Sequence, residues 1–432
     1  MTQHRRSAGL KVVGALAVPT IAALALSGCS TSASSTSSSG RSQEFSLSFA
    51  TSNNIESPFQ TLAEDYMKSH SNVKITFNPQ PNDSYDQTLR TQLQAGNASD
   101  VVVTTPGSGQ GRSILPLAQA GFLEPLDDAA KKLVPSGSDA LFGADSKVYG
   151  QAMEITVVGL VANETAAKAS GITDFPADFA ALEKQCKNLQ SSGKSLFALA
   201  GAAAPNTGLM AMSLAASRVY AGDPDWNAKR TANQVTFAGS DGWKSALDAV
   251  KKLNDAGCFQ QGAAGAGFDA ITQGLASGTS VAGFIPAPSW KQLKTAAAGS
   301  EFDVRALPAE QASDKAYTFA SANYAFSINA ASKNKDAAKA FLDWAAEPEQ
   351  TKAFAEIDGA LPVSGLDSYD FNGSAYKNVA DLIKGGKYGP LPNSQWPNSS
   401  VYDALATGVQ GLITGQKTTD QVLQAMDAAW GQ

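Results

Sequence analysis

Phe45, Leu47 and Phe49 alternate with polar neighbours, the two-residue period of a strand with one buried face. A helix is predicted from about Pro58. Ser57 can cap it, Pro58 fits its first turn, and Gln60 stands where a capping box needs a partner. Phe59, Leu62, Ala63, Tyr66 and Met67 then share one helical face. Val73, Ile75 and Phe77 alternate as a second strand. A polar helix from Ser84 stops near Gly96, and Val101-Val102-Val103 reads as a strand buried on both faces. The β-α-β-α-β order predicts an α/β fold built on doubly wound lobes. No internal repeat of fixed short period is visible.

The N-terminus follows a different pattern. Arg5, Arg6 and Lys11 precede an apolar run from Val12 to Leu26, broken by Pro19 and too short to span a bilayer comfortably. It ends in Leu26-Ser27-Gly28-Cys29, which resembles the lipobox of bacterial lipoproteins. Residues 1–28 are therefore expected to be a signal peptide, with Cys29 as the lipid acceptor. Sec and twin-arginine export both stay open. From Ser30 to Ser42 the chain is nearly all Ser, Thr, Ala and Gly, so residues 29–43 are expected to form a lipidated, flexible tether.

Charge narrows the partners. The full chain carries −6, and losing a leader with three basic residues takes it to about −9, which opposes phosphate-backbone binding and excludes a nucleic-acid partner. The body left after the tether exceeds one typical domain, so two lobes are expected. Beyond Cys29 the cysteines are Cys186 and Cys258. In an oxidising compartment they pair as a disulfide, the alternative being two buried thiols. His70 is the sole histidine after the leader, so neither a Ser-His-Asp triad nor a His-based zinc site can be assembled. No metal or cofactor is expected. Gly107-Ser108-Gly109-Gln110-Gly111 suggests a phosphate loop but lacks the Gly-Lys-Ser/Thr ending, which argues against nucleotide binding. Phosphate recognition by its backbone amides stays open.

Longer strings carry a family resemblance. Ala95-Gly96-Asn97-Ala98-Ser99-Asp100-Val101-Val102 is similar to a GxxPDV strand entry, with Ser99 for the proline. Ala118 to Asp127 matches LAxxGxLxPLD. Lys147-Val148-Tyr149-Gly150 followed by Gly159 to Asn163 matches a GKxYGxP…lyYN crossing. Asn329 to Ala338, Glu347-Pro348-Glu349-Gln350, Gly359-Ala360-Leu361-Pro362-Val363 and Thr414 to Asp420 follow in order. The chain thus resembles the extracellular solute-binding proteins of carbohydrate ABC transporters, the group that includes maltose-binding protein. Ser321-Ala322-Asn323 departs from a frequent Gly-Gly pair.

The resemblance implies a two-lobed, periplasmic-binding-protein-like fold with hinge strands and ligand between the lobes. It implies residues 44–152 as the first part of lobe 1, 153–282 as lobe 2, 283–334 as a return to lobe 1, and 335–432 as a helical segment mostly on lobe 2. Crossings are expected near Gly150–Ile155 and Ala282–Pro288. The implied partners are a carbohydrate and ABC permease subunits with a cytoplasmic ATPase, the protein being a membrane-tethered monomer and not an enzyme.

Sugars need flat aromatic faces and planar polar groups. Matching by position nominates Asn53, Asn54 and Glu56 after the first strand, Thr105 and Ser108 after the Asp100–Thr104 strand, and Glu154 at the crossing. It adds Asn206, Thr207, Trp226, Trp290, Asn323, Trp396 and Tyr402. Each has a plain structural alternative: turn or cap residues for Asn53, Asn54 and Glu56, a solvated strand end for Glu154, and core or loop anchoring for the aromatics. Trp243, Trp344 and Trp430 lie in helical patterns and are expected in the core. Glycerol phosphate, polyamine or ferric-ion cargo and an exported carbohydrate-active enzyme remain as alternatives.

Overall fold

The computed structural model describes residues 43–51, 57–135 and 138–431. The signal peptide, Cys29, the tether up to residue 42, Asn53, Asn54 and Glu56 lie outside the described residues.

Strand β1 (Gln43–Thr51) pairs in parallel with β2 (Val73–Pro81), setting Leu47 opposite Phe77, and with β3 (Val101–Thr104), setting it beside Val101. Helix α1 (Pro58–Ser69) buries Phe59, Leu62, Ala63 and Tyr66 of the face that its periodicity predicts, and Met67 is half-buried at its edge. The capping box does not form. Ser57 has extended backbone, but its hydroxyl makes no cap bond, and Gln60 reaches Glu64 instead. Helix α2 (Asn82–Ala95) starts two residues before the expected Ser84 and ends at Gly96, whose φ of 70° is the left-handed C-cap that glycine favours. Strand Ala325–Asn329 runs antiparallel to β3, and Leu123–Glu124 and Gln151–Ala152 pair with it in turn. One core of this first lobe joins Phe45, Leu47, Phe59 and Tyr66 to Phe326 and Phe341.

A second sheet has the order Ser195–Ala198, Ser280–Gly283, Leu160–Asn163, Phe302–Arg305. Its largest core gathers Phe197, Trp243, Phe284 and Trp396 with helices Asp241–Asp255, Ser399–Ile413 and Thr419–Trp430. A third, narrow sheet carries the chain between them, with strand Glu154–Val158 antiparallel to Thr318–Ser321. The molecule is a two-lobed α/β protein.

Two expected boundaries need correction. Residues 283–317 stay with the second lobe, because Phe302–Arg305 adds a strand antiparallel to Leu160–Asn163, so the return begins at Thr318 and not at 283. Helices Lys335–Ala345 and Pro348–Asp358 pack Phe341, Leu342 and Phe354 into the first lobe's core. Only the later helices return to the second. Cys186 and Cys258 form a disulfide inside the second lobe. Of the expected core tryptophans Trp243 is fully buried, while Trp344 and Trp430 are half-buried at the edges of the two cores.

Candidate functional site

Glu154 opens the crossing strand and is fully buried. Its carboxylate accepts hydrogen bonds from the Thr156 hydroxyl (2.8 Å) and the Asn323 backbone N–H (3.1 Å). Asp358, the last residue of helix Pro348–Asp358, supplies a second carboxylate nearby. Burial is the main cause that pushes Glu154 up to about 8, with the Asp358 charge adding to it. Burial likewise lifts Asp358 to about 7, against the pull of Lys291. The pair therefore holds a proton near neutral pH. Tyr324 feels Arg112, Asp358 and Glu154 together, although burial is the chief cause of its raised pKa.

The folded protein keeps a proton on Glu154 that the unfolded chain releases above about pH 4.5. This contribution to stability is complete below that pH and is lost as pH rises through about 8. Glu154→Gln keeps the shape without the ionisation. It is expected to stabilise the protein by on the order of 2 kcal/mol at pH 8 relative to its effect at pH 4. Thermal melting across that range checks this, and parallel curves for the two proteins would contradict a protonated Glu154.

The same hinge receives the end of helix Pro348–Asp358. The Gly359 carbonyl accepts from the Trp290 indole N–H (2.8 Å) and the Tyr376 hydroxyl (2.7 Å), while Lys291 donates to the carbonyls of Ile357 (3.0 Å) and Glu356. These donors satisfy carbonyls that a helix C-terminus leaves open, and the lysine charge suits that end of the dipole. A cavity of about 1120 Å³ lies beside them, lined by Trp290, Lys291, Tyr369, Tyr376, Lys377 and Asp303 among others. Asp303 is raised to about 6, mainly by burial, beside Arg305 and Glu164.

On the first-lobe side, Thr105 is buried with its hydroxyl 3.3 Å from that of Ser113. Ser108 donates its N–H to Ser394 O (2.9 Å) and its hydroxyl to Trp396 O (2.6 Å). Arg112 pairs with Asp86 at 2.5 Å, donates to Asn82 and lies 5.1 Å above the Tyr85 ring. The glycine-rich loop does not offer a phosphate nest. The N–H groups of Gly107, Ser108, Gln110 and Gly111 already donate to Leu141 O, Ser394 O, Ser113 Oγ and Asp86 Oδ2.

In the second lobe several nominated residues are buried or bonded within the protein. Asn206 is buried, accepting from the Ala200 N–H and donating to Phe284 O, so its amide ties strand ends together. Thr207 is buried and donates to Ala406 O. Trp396 is 0% exposed, its ring 5.8 Å from Phe237 and 6.2 Å from Trp243. Trp226 is 4% exposed, packs on Phe237 at 4.8 Å and lines a small cavity of about 280 Å³. Both rings belong to the second lobe's core. Tyr402 is half-buried and donates to Pro205 O (2.8 Å), with its ring so close to Gly208 that a Cβ there would lie 2.5 Å from it.

The nominated residues thus fall into separate groups. Glu154 meets Asn323 at the hinge. Ser108 meets the Trp396 backbone across the lobes, and Asn206, Thr207 and Tyr402 share a second-lobe turn. Trp290 stands on the large cavity. Asp358, Tyr324, Tyr376 and Arg112 were not anticipated. Asp358 immediately precedes the Gly359–Val363 string and Arg112 follows Gly111, so neighbouring motifs pointed at both. Among the described residues no cluster of His, Cys, Asp and Glu could hold a metal ion, and no helix is long and apolar enough to cross a membrane.

Comparison with known proteins matches the fold throughout. No curated protein matches the sequence. A chitin oligosaccharide binding protein superposes with a TM-score of 0.73 at 18% identity, covering 89% of this chain and 98% of that one. SBP RafE in complex with raffinose gives 0.71 at 18% identity, over 90% and 98% of the two chains. A sugar transporter protein from Bacillus licheniformis in complex with stachyose gives 0.70 at 17%, over 89% and 98%. The family model described as bacterial extracellular solute-binding protein matches residues 50–352. The chain belongs to the family of bacterial extracellular solute-binding proteins.

Proposed function

We propose that the protein captures a sugar or oligosaccharide between its lobes and delivers it to the permease of an ABC importer. The observation that carries this reading is the family match over residues 50–352. Chitin oligosaccharide, raffinose and stachyose are named with its structural neighbours, which supports carbohydrate as the cargo class. The leader and Cys29 support an extracytoplasmic protein, lipid-anchored to the cell membrane. Transport is favoured over catalysis because the family whose model matches is one of extracellular solute-binding proteins.

Trp290 offers an aromatic face at a cavity of about 1120 Å³, large enough for an oligosaccharide. Trp290→Ala is expected to weaken sugar binding by about 2 kcal/mol, as for an aromatic anchor. Calorimetric titration with chitin oligosaccharide, raffinose and stachyose tests both statements. Binding of one of them that Trp290→Ala leaves unchanged removes Trp290 from the site. Absence of binding by all three counts against the carbohydrate assignment.

A further inference from the structure

The glycine-rich segment 107–111 has no role in the chemistry above, yet its backbone touches the backbone of the other lobe. It follows β3, and on its own side it is fixed by Gly107 N–H to Leu141 O (2.7 Å), Leu115 N–H to Gly107 O (3.0 Å) and Gly111 N–H to Asp86 (3.0 Å). Opposite stands the turn Pro392–Gln395 with Trp396. Asn227 holds this turn to the second lobe by bonds to Pro392 O (3.1 Å) and Gln395 (2.8 Å), and the Trp396 ring anchors it in that lobe's core. Between the two, Ser108 makes both of its hydrogen bonds across the boundary, to the carbonyls of Ser394 and Trp396.

We infer that this loop is the closure latch of the protein, a backbone-to-backbone contact in which glycine at 107 and 109 sets how closely the lobes approach. The inference rests on the reading of the protein as a two-lobed capture device. A Cβ built on Gly107 would lie 1.8 Å from Ser394 O, and one on Gly109 would lie 1.8 Å from Asn393 O. No rotamer relieves such an overlap, because the obstructing atoms are backbone and belong to the other lobe. The two glycines differ in what they reveal. Gly107 has a φ of 81°, so a side chain there would also strain its own loop. Gly109 has no such restriction, and its obstruction comes from across the boundary. Gly109 is therefore a clean probe of closure, and Ser108, which donates at either end of the latch, is its polar counterpart.

Small-angle scattering and amide hydrogen exchange of the unliganded protein test this without any solute, so the outcome does not depend on which cargo is carried. The parent is expected to scatter as the compact two-lobed body, with slow exchange at Ser108. Gly109→Val is expected to enlarge the radius of gyration and speed exchange at Ser108 by tenfold or more, with unchanged far-ultraviolet circular dichroism. Ser108→Ala keeps the glycines and loses only the hydroxyl bond to Trp396 O. It is expected to speed exchange at position 108 a few-fold, and it decides the matter if Gly109→Val does not fold. Scattering and exchange that are identical in the parent and Gly109→Val overturn the latch, as does Ser108→Ala exchanging like the parent when it alone is measurable.

Discussion

Trp396→Ala is expected to cost about 3–5 kcal/mol of stability, the range for truncating a fully buried large aromatic. The ring has no exposed surface and packs edge-on against Phe237 and beside Trp243. Its indole N–H also points to Asn227 Oδ1 at 3.4 Å, so truncation removes a partner from the residue that holds the Pro392–Gln395 turn. Denaturant unfolding measures the loss. A stable variant with weakened sugar binding would instead return Trp396 to the ligand site.

Removing the disulfide is the second large effect. Cys186 lies in helix Phe179–Gln190, and Cys258 follows helix Asp241–Asp255 beside strand Ser195–Ala198, where its carbonyl accepts the Phe197 N–H at 2.9 Å. The bridge closes a sequence separation of 72 residues. In the chain-entropy model a loop of that length stabilises by about 4 kcal/mol. Both sulfurs sit in the second lobe's core, so Cys186→Ala with Cys258→Ala is expected to lower the unfolding midpoint of that lobe most. An unchanged midpoint would mean that the bridge adds nothing to this fold.

How much of this was legible in the chain depends on the kind of interaction involved. Phe45, Leu47 and Phe49, the α1 face and Val101 to Val103 all lie buried as their periodicity requires, because local pattern and burial agree there. Phe302–Arg305 escaped notice. It is a short strand with Asp303 and Arg305 paired to each other, and polar pairs inside a sheet disguise its period. Missing it moved the lobe boundary. The site was less legible still. Asn206, Thr207, Trp226 and Trp396 have residue types that suit sugar binding, but their partners come from segments distant in sequence. Asp358 carries no motif of its own in the sequence, and only folding brings it to Glu154.

The central claim, carbohydrate capture between the lobes, is tested most directly by thermal melting of the protein against a panel of mono- and oligosaccharides. A cargo sugar at 100 times its Kd should stabilise the folded state by about 2.7 kcal/mol, a readily measured shift. The account predicts such a shift with one class of sugar. A shift with phosphorylated or cationic solutes, and with no sugar, would contradict it.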